Sequence, residues 1–186
     1  MSLSKRFIGH LKTITTHKFL VMKLCFKCGL YMQGLLHDLS KYSPVEFFNG
    51  VRYYQGYRSP IDEEKEEIGY SKAWLHHKGR NKHHWEYWLD FNLNGQLIAP
   101  LAMPYNYIIE SVLDKIAASK VYRGKDYTDD YPLYYFEKGN SKNIMHQYNA
   151  KQFKELLSYL AINGEEKALA HYAKLYKDFK KSKRLK

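Results

Sequence analysis

The apolar residues Leu3, Phe7, Leu11, Ile14, Leu20 and Leu24 recur at steps of three or four, with one longer step, which predicts an amphipathic helix over Leu3 to Cys28. Gly29 is placed to end it, and Met32, Leu35, Leu36 and Leu39 carry a short second helix from Leu30 to Ser40 that closes on His37-Asp38. Ser43-Pro44-Val45-Glu46 then supplies a capping hydroxyl, a proline at the first helical position and a glutamate able to bond back to the cap, so a third helix begins there. Gly56 and Ser59-Pro60 break the chain. The acidic run Asp62 to Glu67 suits the start of another helix, which is expected to carry Ala73-Trp74-Leu75-His76-His77.

Gly79-Arg80-Asn81-Lys82 reads as a loop, followed by His83-His84-Trp85-Glu86-Tyr87-Trp88. Met103-Pro104 opens a helix in which Ile108, Ile109, Val112, Leu113, Ile116 and Ala117 surround Asp114. From Gly124 to Asn140 tyrosines mix with helix breakers, and an irregular excursion is expected. Two helices, about Ala150 to Ile162 and Glu165 to Lys180, separated by Asn163-Gly164, complete the chain. There is no convincing strand alternation, fixed-period repeat or low-complexity linker, so the pattern predicts an all-α, single-domain helical bundle spanning residues 1–186.

Composition narrows the picture. Apolar residues make up 45% of the chain, enough to bury a core and to exclude a disordered protein. A formal net charge of +11 favours phosphates, nucleic acid or an anionic surface without choosing among them. The basic tail Lys174 to Lys186 is expected to be a solvated helix end rather than a nucleic-acid arm. Cys25 and Cys28 have C-x-x-C spacing but no second pair, and their helical setting predicts two buried thiols in a reducing, cytoplasmic compartment. Lys23 and Lys27 interrupt the apolar run from Phe19 to Leu36, and the N-terminus lacks a cleavable leader pattern, so neither a membrane span nor a membrane partner is expected. No signature specifies an oligomer.

The nine histidines are clustered. His10 and His17, seven apart, share a helix face, and either can look toward a common centre. His37 and Asp38 diverge by roughly 100° yet can still converge on an ion between them, and imidazole with carboxylate suits Mn, Fe, Co, Ni or Zn better than calcium. Asp114 sits in an apolar helix, where a carboxylate needs a cation, hydrogen-bond donors, or a boundary pairing with Lys115 or Lys120. His76, His77, His83 and His84 fall within nine residues, either as further ligands or as histidines packed among Trp74, Trp85 and Trp88. Lys41, Arg80 and Lys82 are candidates for gripping phosphate oxygens. The eighteen tyrosines, among them Tyr53-Tyr54, Tyr57 and Tyr134-Tyr135, can stack a nucleobase but more often pack.

A histidine on one helix, a His-Asp pair ending the next and an aspartate on a later helix form an order that resembles the HD-domain superfamily of metal-dependent phosphohydrolases, over residues 7–122. The resemblance implies His17, His37, Asp38 and Asp114 as ligands to one divalent transition metal. It also implies a second ion held by intervening histidines, with His77 and His83 preferred over His76 and His84. The implied activity is hydrolysis of a nucleotide or other small phosphate ester by metal-activated water, with Asp38 or Asp114 orienting the water and Lys41, Arg80 and Lys82 meeting the phosphate. Gly79-Arg80-Asn81-Lys82 departs from the glycine-rich signature associated with cyclic-dinucleotide phosphodiesterases in that superfamily, which argues against that substrate. His-Asp-Leu-Ser-Lys-Tyr-Ser-Pro and His-His-Trp-Glu-Tyr-Trp also resemble a narrower bacterial and phage family known only as a domain of unknown function. Two other expectations stay open: a di-iron oxygenase on the same ligands, and a basic, non-catalytic nucleic-acid-binding protein.

Overall fold

Helical periodicity is realised in the computed structural model, which describes residues 1–92 and 98–184, as ten α-helices among those residues. They are α1 (Leu3–Lys27), α2 (Tyr31–Leu36), α3 (Pro44–Tyr53), α4 (Pro60–Ile68), α5 (Lys72–Lys78), α6 (Tyr105–Arg123), α7 (Tyr131–Lys138), α8 (Ser141–Ile144), α9 (Gln147–Asn163) and α10 (Glu165–Arg184). The only strand pairing among the described residues joins β1 (Leu89–Asp90) and β2 (Ala99–Pro100), antiparallel with Leu89 opposite Pro100. The fold is all-α and single-domain.

Helix α6 is the axis of the core. Its residues Ile108, Ile109, Val112, Leu113, Ile116 and Ala117 are inaccessible to solvent, as a helix enclosed on most sides requires. Val21, Leu24 and Cys25 of α1 join the same buried cluster as Phe153, Leu157 and Leu160 of α9 and Leu169 and Tyr172 of α10. Each fully buried Leu or Ile contributes roughly 1.5–3 kcal/mol. The Tyr172 hydroxyl, inside this layer, donates to the Leu156 carbonyl at 2.5 Å. Cys25 and Cys28 are buried free thiols.

Several boundaries differ from the sequence expectation. The second helix stops at Leu36, because His37 turns extended and Asp38 takes a left-handed backbone, φ 54°, before a 3-10 turn at Leu39–Tyr42. The helix expected to join the acidic run to His76-His77 is two helices, since Gly69 ends α4 at φ 82° and the Ser71 hydroxyl accepts from Trp74 N–H to start α5. Glu46 does not bond back to a cap; Ser43 makes no side-chain cap bond, and the carboxylate turns to histidines instead. The stretch expected to be irregular contains α7, whose first turn accommodates Pro132.

Candidate metal centre

Four segments deliver the polar residues that the core surrounds. Helix α1 presents His17, and the α2 terminus presents His37 and Asp38. Lys18 fixes that terminus by donating from Nζ to the carbonyls of Leu35 and His37, both at 2.9 Å, which satisfies carbonyl oxygens that a helix end leaves open. Helix α5 and the turn after it supply His77, His83 and His84. Helix α6 supplies Glu110 and Asp114, one turn apart on the stripe beside its apolar face.

These groups meet around Asp38. Its Oδ2 lies 3.5 Å from His17 Nε2 and 3.3 Å from His37 Nε2, while its Oδ1 lies 3.2 Å from His77 Nε2 and 3.4 Å from His83 Nε2. Asp114 Oδ1 completes the first set, 2.9 Å from His17 Nε2 and 3.5 Å from His37 Nε2. His84 joins the second. Two compact sets thus share one carboxylate: His17, His37, Asp38 and Asp114 on one side, and Asp38, His77, His83 and His84 on the other.

The far sides of the rings are held by carboxylates. Glu110 Oε1 lies 3.0 Å from His37 Nδ1 and 3.3 Å from His83 Nδ1. Glu46 reaches His76 Nδ1 at 2.6 Å through Oε1 and His77 Nδ1 at 2.7 Å through Oε2. In a neutral imidazole, a protonated Nδ1 donating to glutamate leaves the Nε2 lone pair free, the tautomer that ligates a metal.

The unmet atoms point the same way. His17 Nε2, His37 Nε2, His83 Nε2, His84 Nε2 and both oxygens of Asp38 are buried without a geometrically sound hydrogen bond. Asp38 Oδ2 has the Lys41 ammonium at 2.6 Å, and a cation held between the remaining atoms would supply the partner they lack. Ligands placed about 2.1 Å from one ion stand about 3.0–3.4 Å apart, close to the separations found here. The residues present fit a pair of divalent transition-metal ions.

Charge differs from one imidazole to the next. Burial alone would depress the His37 imidazole, but Asp38, Asp114 and Glu110 overcome it and raise its pKa well above the ordinary value. Burial would raise Asp38, yet His37, Lys41 and His77 hold it far below the carboxylate range; His17 and His37 do the same for Asp114. His83 and His84 are pushed down, by burial first and then by neighbouring imidazoles, so both are neutral and able to ligate.

One wall of a cavity of about 390 Å³ is formed by His17, Lys41, His77, His84 and Asp114. Aromatic residues Trp74, Tyr122, Tyr131 and Tyr135 line it as well. Lys41 Nζ stands 2.6 Å from Asp38 Oδ2 at this wall. Arg58 and Lys65 also reach the cavity, with Arg58 engaged by Glu63 and Glu66.

The structure thus brings together His17, His37, Asp38, Asp114, His77, His83 and Lys41. His84, the less favoured alternative, belongs to the second set. His10 does not reach the cluster: it is buried beside Phe47 and Tyr54. His76 stands behind it on Glu46. Arg80 and Lys82 are misplaced by the phosphate-gripping expectation. Both are exposed and neither lines the cavity, because the turn directs Asn81 inward between them; Arg80 donates to the His76 carbonyl and Lys82 lies over Tyr87. The boundary pairing considered for Asp114 is absent, since Lys115 lies over Phe153 and Lys120 pairs with Glu165. The sequence expectation omitted Glu46, Glu110 and Lys18. Glu110 carried a usable signal, an acid one helical turn before Asp114 within the same apolar run.

Residues 6–161 match the family of unknown function DUF5662, and the chain belongs to that family. The match spans every residue of the two sets. No curated protein and no solved structure matches the chain.

Proposed function

We propose that this member of DUF5662 is a metal-dependent phosphohydrolase that acts on a nucleotide or another small phosphate ester. The observation that carries the proposal is the placement of Asp38, whose two oxygens face two sets of imidazole Nε2 atoms. His17, His37, Asp38 and Asp114 would hold one ion, and Asp38, His77, His83 and His84 the other. The order of the first four residues along the chain, which resembles the HD-domain superfamily, supports the same assignment.

When bound, such ions supply Lewis acidity and lower the pKa of water to near neutrality. The chain's own residues do the rest. Glu46 and Glu110 orient the imidazoles and fix their tautomers. Asp114 lines the cavity and, held ionised by His17 and His37, accepts a hydrogen bond that aims a water at phosphorus. Lys41 offers a point positive charge to the phosphoryl oxygens as negative charge develops on them. The tyrosines and Trp74 give the organic part of the ester an apolar wall.

The test is elemental analysis of protein purified without added metal, paired with hydrolysis of p-nitrophenyl phosphate and of nucleoside monophosphates before and after chelation. The proposal expects bound transition metal, and hydrolysis that chelation, His37→Ala and Asp114→Ala each abolish. Full hydrolysis by metal-free protein would refute it. Iron-loaded protein that consumes oxygen and leaves every ester intact would replace it with the oxygenase alternative.

A further inference from the structure

Four large apolar side chains stay exposed on α1 and α2: Phe19, Met32, Leu35 and Leu36. Helix α2 folds back on α1 through Gly34, where an added Cβ would sit 2.9 Å from Cys25 Cβ. Met32 and Leu36 therefore face outward, and they are 61% and 56% exposed. Phe19, near the α2 terminus that Lys18 ties down, is 58% exposed, and Leu35 is 48% exposed. Apolar side chains gathered on one face and rimmed by cationic ones mark an interaction site.

The electrical surroundings of the patch are one-sided. No Asp or Glu precedes Asp38 in the sequence, and Asp38 is buried, whereas Lys5, Arg6, Lys12, Lys23 and Lys27 all lie on α1. The patch runs through the Phe26–Tyr31 ring pair into a groove of about 480 Å³ between the end of α1 and α10. Lys27, Lys177, Lys180 and Lys181 line that groove. A second copy would bring equal charge against this face, +11 on each chain, and a nucleic acid would leave the aliphatic side chains in water.

We propose that the outward face of α1 and α2, with its lysine groove, docks on an anionic lipid bilayer surface. Phe19, Met32, Leu35 and Leu36 enter the boundary between headgroups and acyl chains, and the groove lysines meet headgroup phosphates. The contact is in-plane, since no helix among the described residues is long and apolar enough to cross a membrane. No residue of α2 lines the cavity beside the metal ligands, so docking leaves that cavity open. The proposal is independent of the hydrolase assignment.

Co-sedimentation of the full chain with vesicles tests it, using phosphatidylcholine alone against equal parts phosphatidylcholine and phosphatidylglycerol. Binding should require phosphatidylglycerol and weaken with salt. The double variant Phe19→Ser, Leu36→Ser, checked for native helicity by circular dichroism, should bind at least about tenfold more weakly. Lys177→Gln and Lys180→Gln should each cost about fivefold. Three results would overturn the proposal: no binding to phosphatidylglycerol vesicles, full binding by the Phe19, Leu36 variant, or a stable dimer in sedimentation velocity that the same variant dissolves.

Discussion

Asp38 is the one non-glycine among the described residues with a left-handed backbone, φ 54°. Aspartate and asparagine tolerate that region better than most side chains, and here it turns both carboxylate oxygens into the gap between the imidazole sets. Charge and conformation can therefore be separated. Asp38→Asn keeps the backbone preference and the shape while removing the negative charge, so helicity should survive and metal stoichiometry should fall, as read by circular dichroism and elemental analysis on the same sample. Unchanged stoichiometry would show that Asp38 is not a metal ligand. Glu110→Gln is subtler, because the amide still accepts from one imidazole but no longer stabilises the charge of two. Loss of such an outer partner typically weakens metal affinity about 10–100-fold, measurable by competition with a chromogenic chelator. A wild-type affinity in Glu110→Gln would mean that the 3.0 Å contact to His37 does not hold the ring.

At the scale of elements, α1 and α3 approach closely at two glycines. A Cβ at Gly9 would come within 2.5 Å of Tyr54, and one at Gly50 would overlap the His10 ring, itself flanked by Phe47 and Tyr54. Gly50→Ala gains helix propensity but overpacks this contact, and a net loss of about 1–3 kcal/mol in urea unfolding is expected. A stabilised variant would show that the helices separate freely. The same buried ring carries a pH dependence. Burial first, then the Lys41 charge, lowers the His10 pKa to about 4 from 6.5, so between those values the unfolded chain binds the proton and the folded chain does not. Stability is thus intact above pH 6.5 and falls as pH drops toward 4, by about 3 kcal/mol. His10→Leu should flatten that part of the acid profile, and matching slopes in both proteins would reject the assignment. This region also shows what was legible in the sequence. Helical period located α1, α6, α9 and α10, and chain order picked out His17, His37, Asp38 and Asp114. It did not separate α4 from α5, because Gly69 and Ser71 break a helix within an otherwise continuous pattern. Glu46 was hidden for a related reason: three residues after Ser43 it fits a local capping rule, and only the packing of α3 on α5 turns it to His76 and His77.

For the whole molecule, the two ligand sets draw on α1, the α2 terminus, α5 with the segment following it, and α6, so an ion bound there would tie together elements up to about a hundred residues apart in the chain. A cation that binds the assembled cluster and not the unfolded chain adds its binding free energy to the fold, about 2.7 kcal/mol at a hundredfold excess over Kd. For a domain of this size, each kcal/mol moves the midpoint by about 2–4 °C. Chelation followed by buffer exchange should therefore lower Tm by about 5–10 °C, and returning Mn, Fe, Co, Ni or Zn should restore it. Calcium should restore little, because the imidazoles that dominate both sets are poor calcium ligands. His83→Ala, which empties one set, should retain part of the rise, whereas Asp38→Asn should lose most of it. A scanning-calorimetry midpoint indifferent to chelator and to every transition metal would mean that the buried imidazoles and carboxylates balance one another's charge as they stand, and the two sets would then be a structural ion-pair network rather than a metal centre.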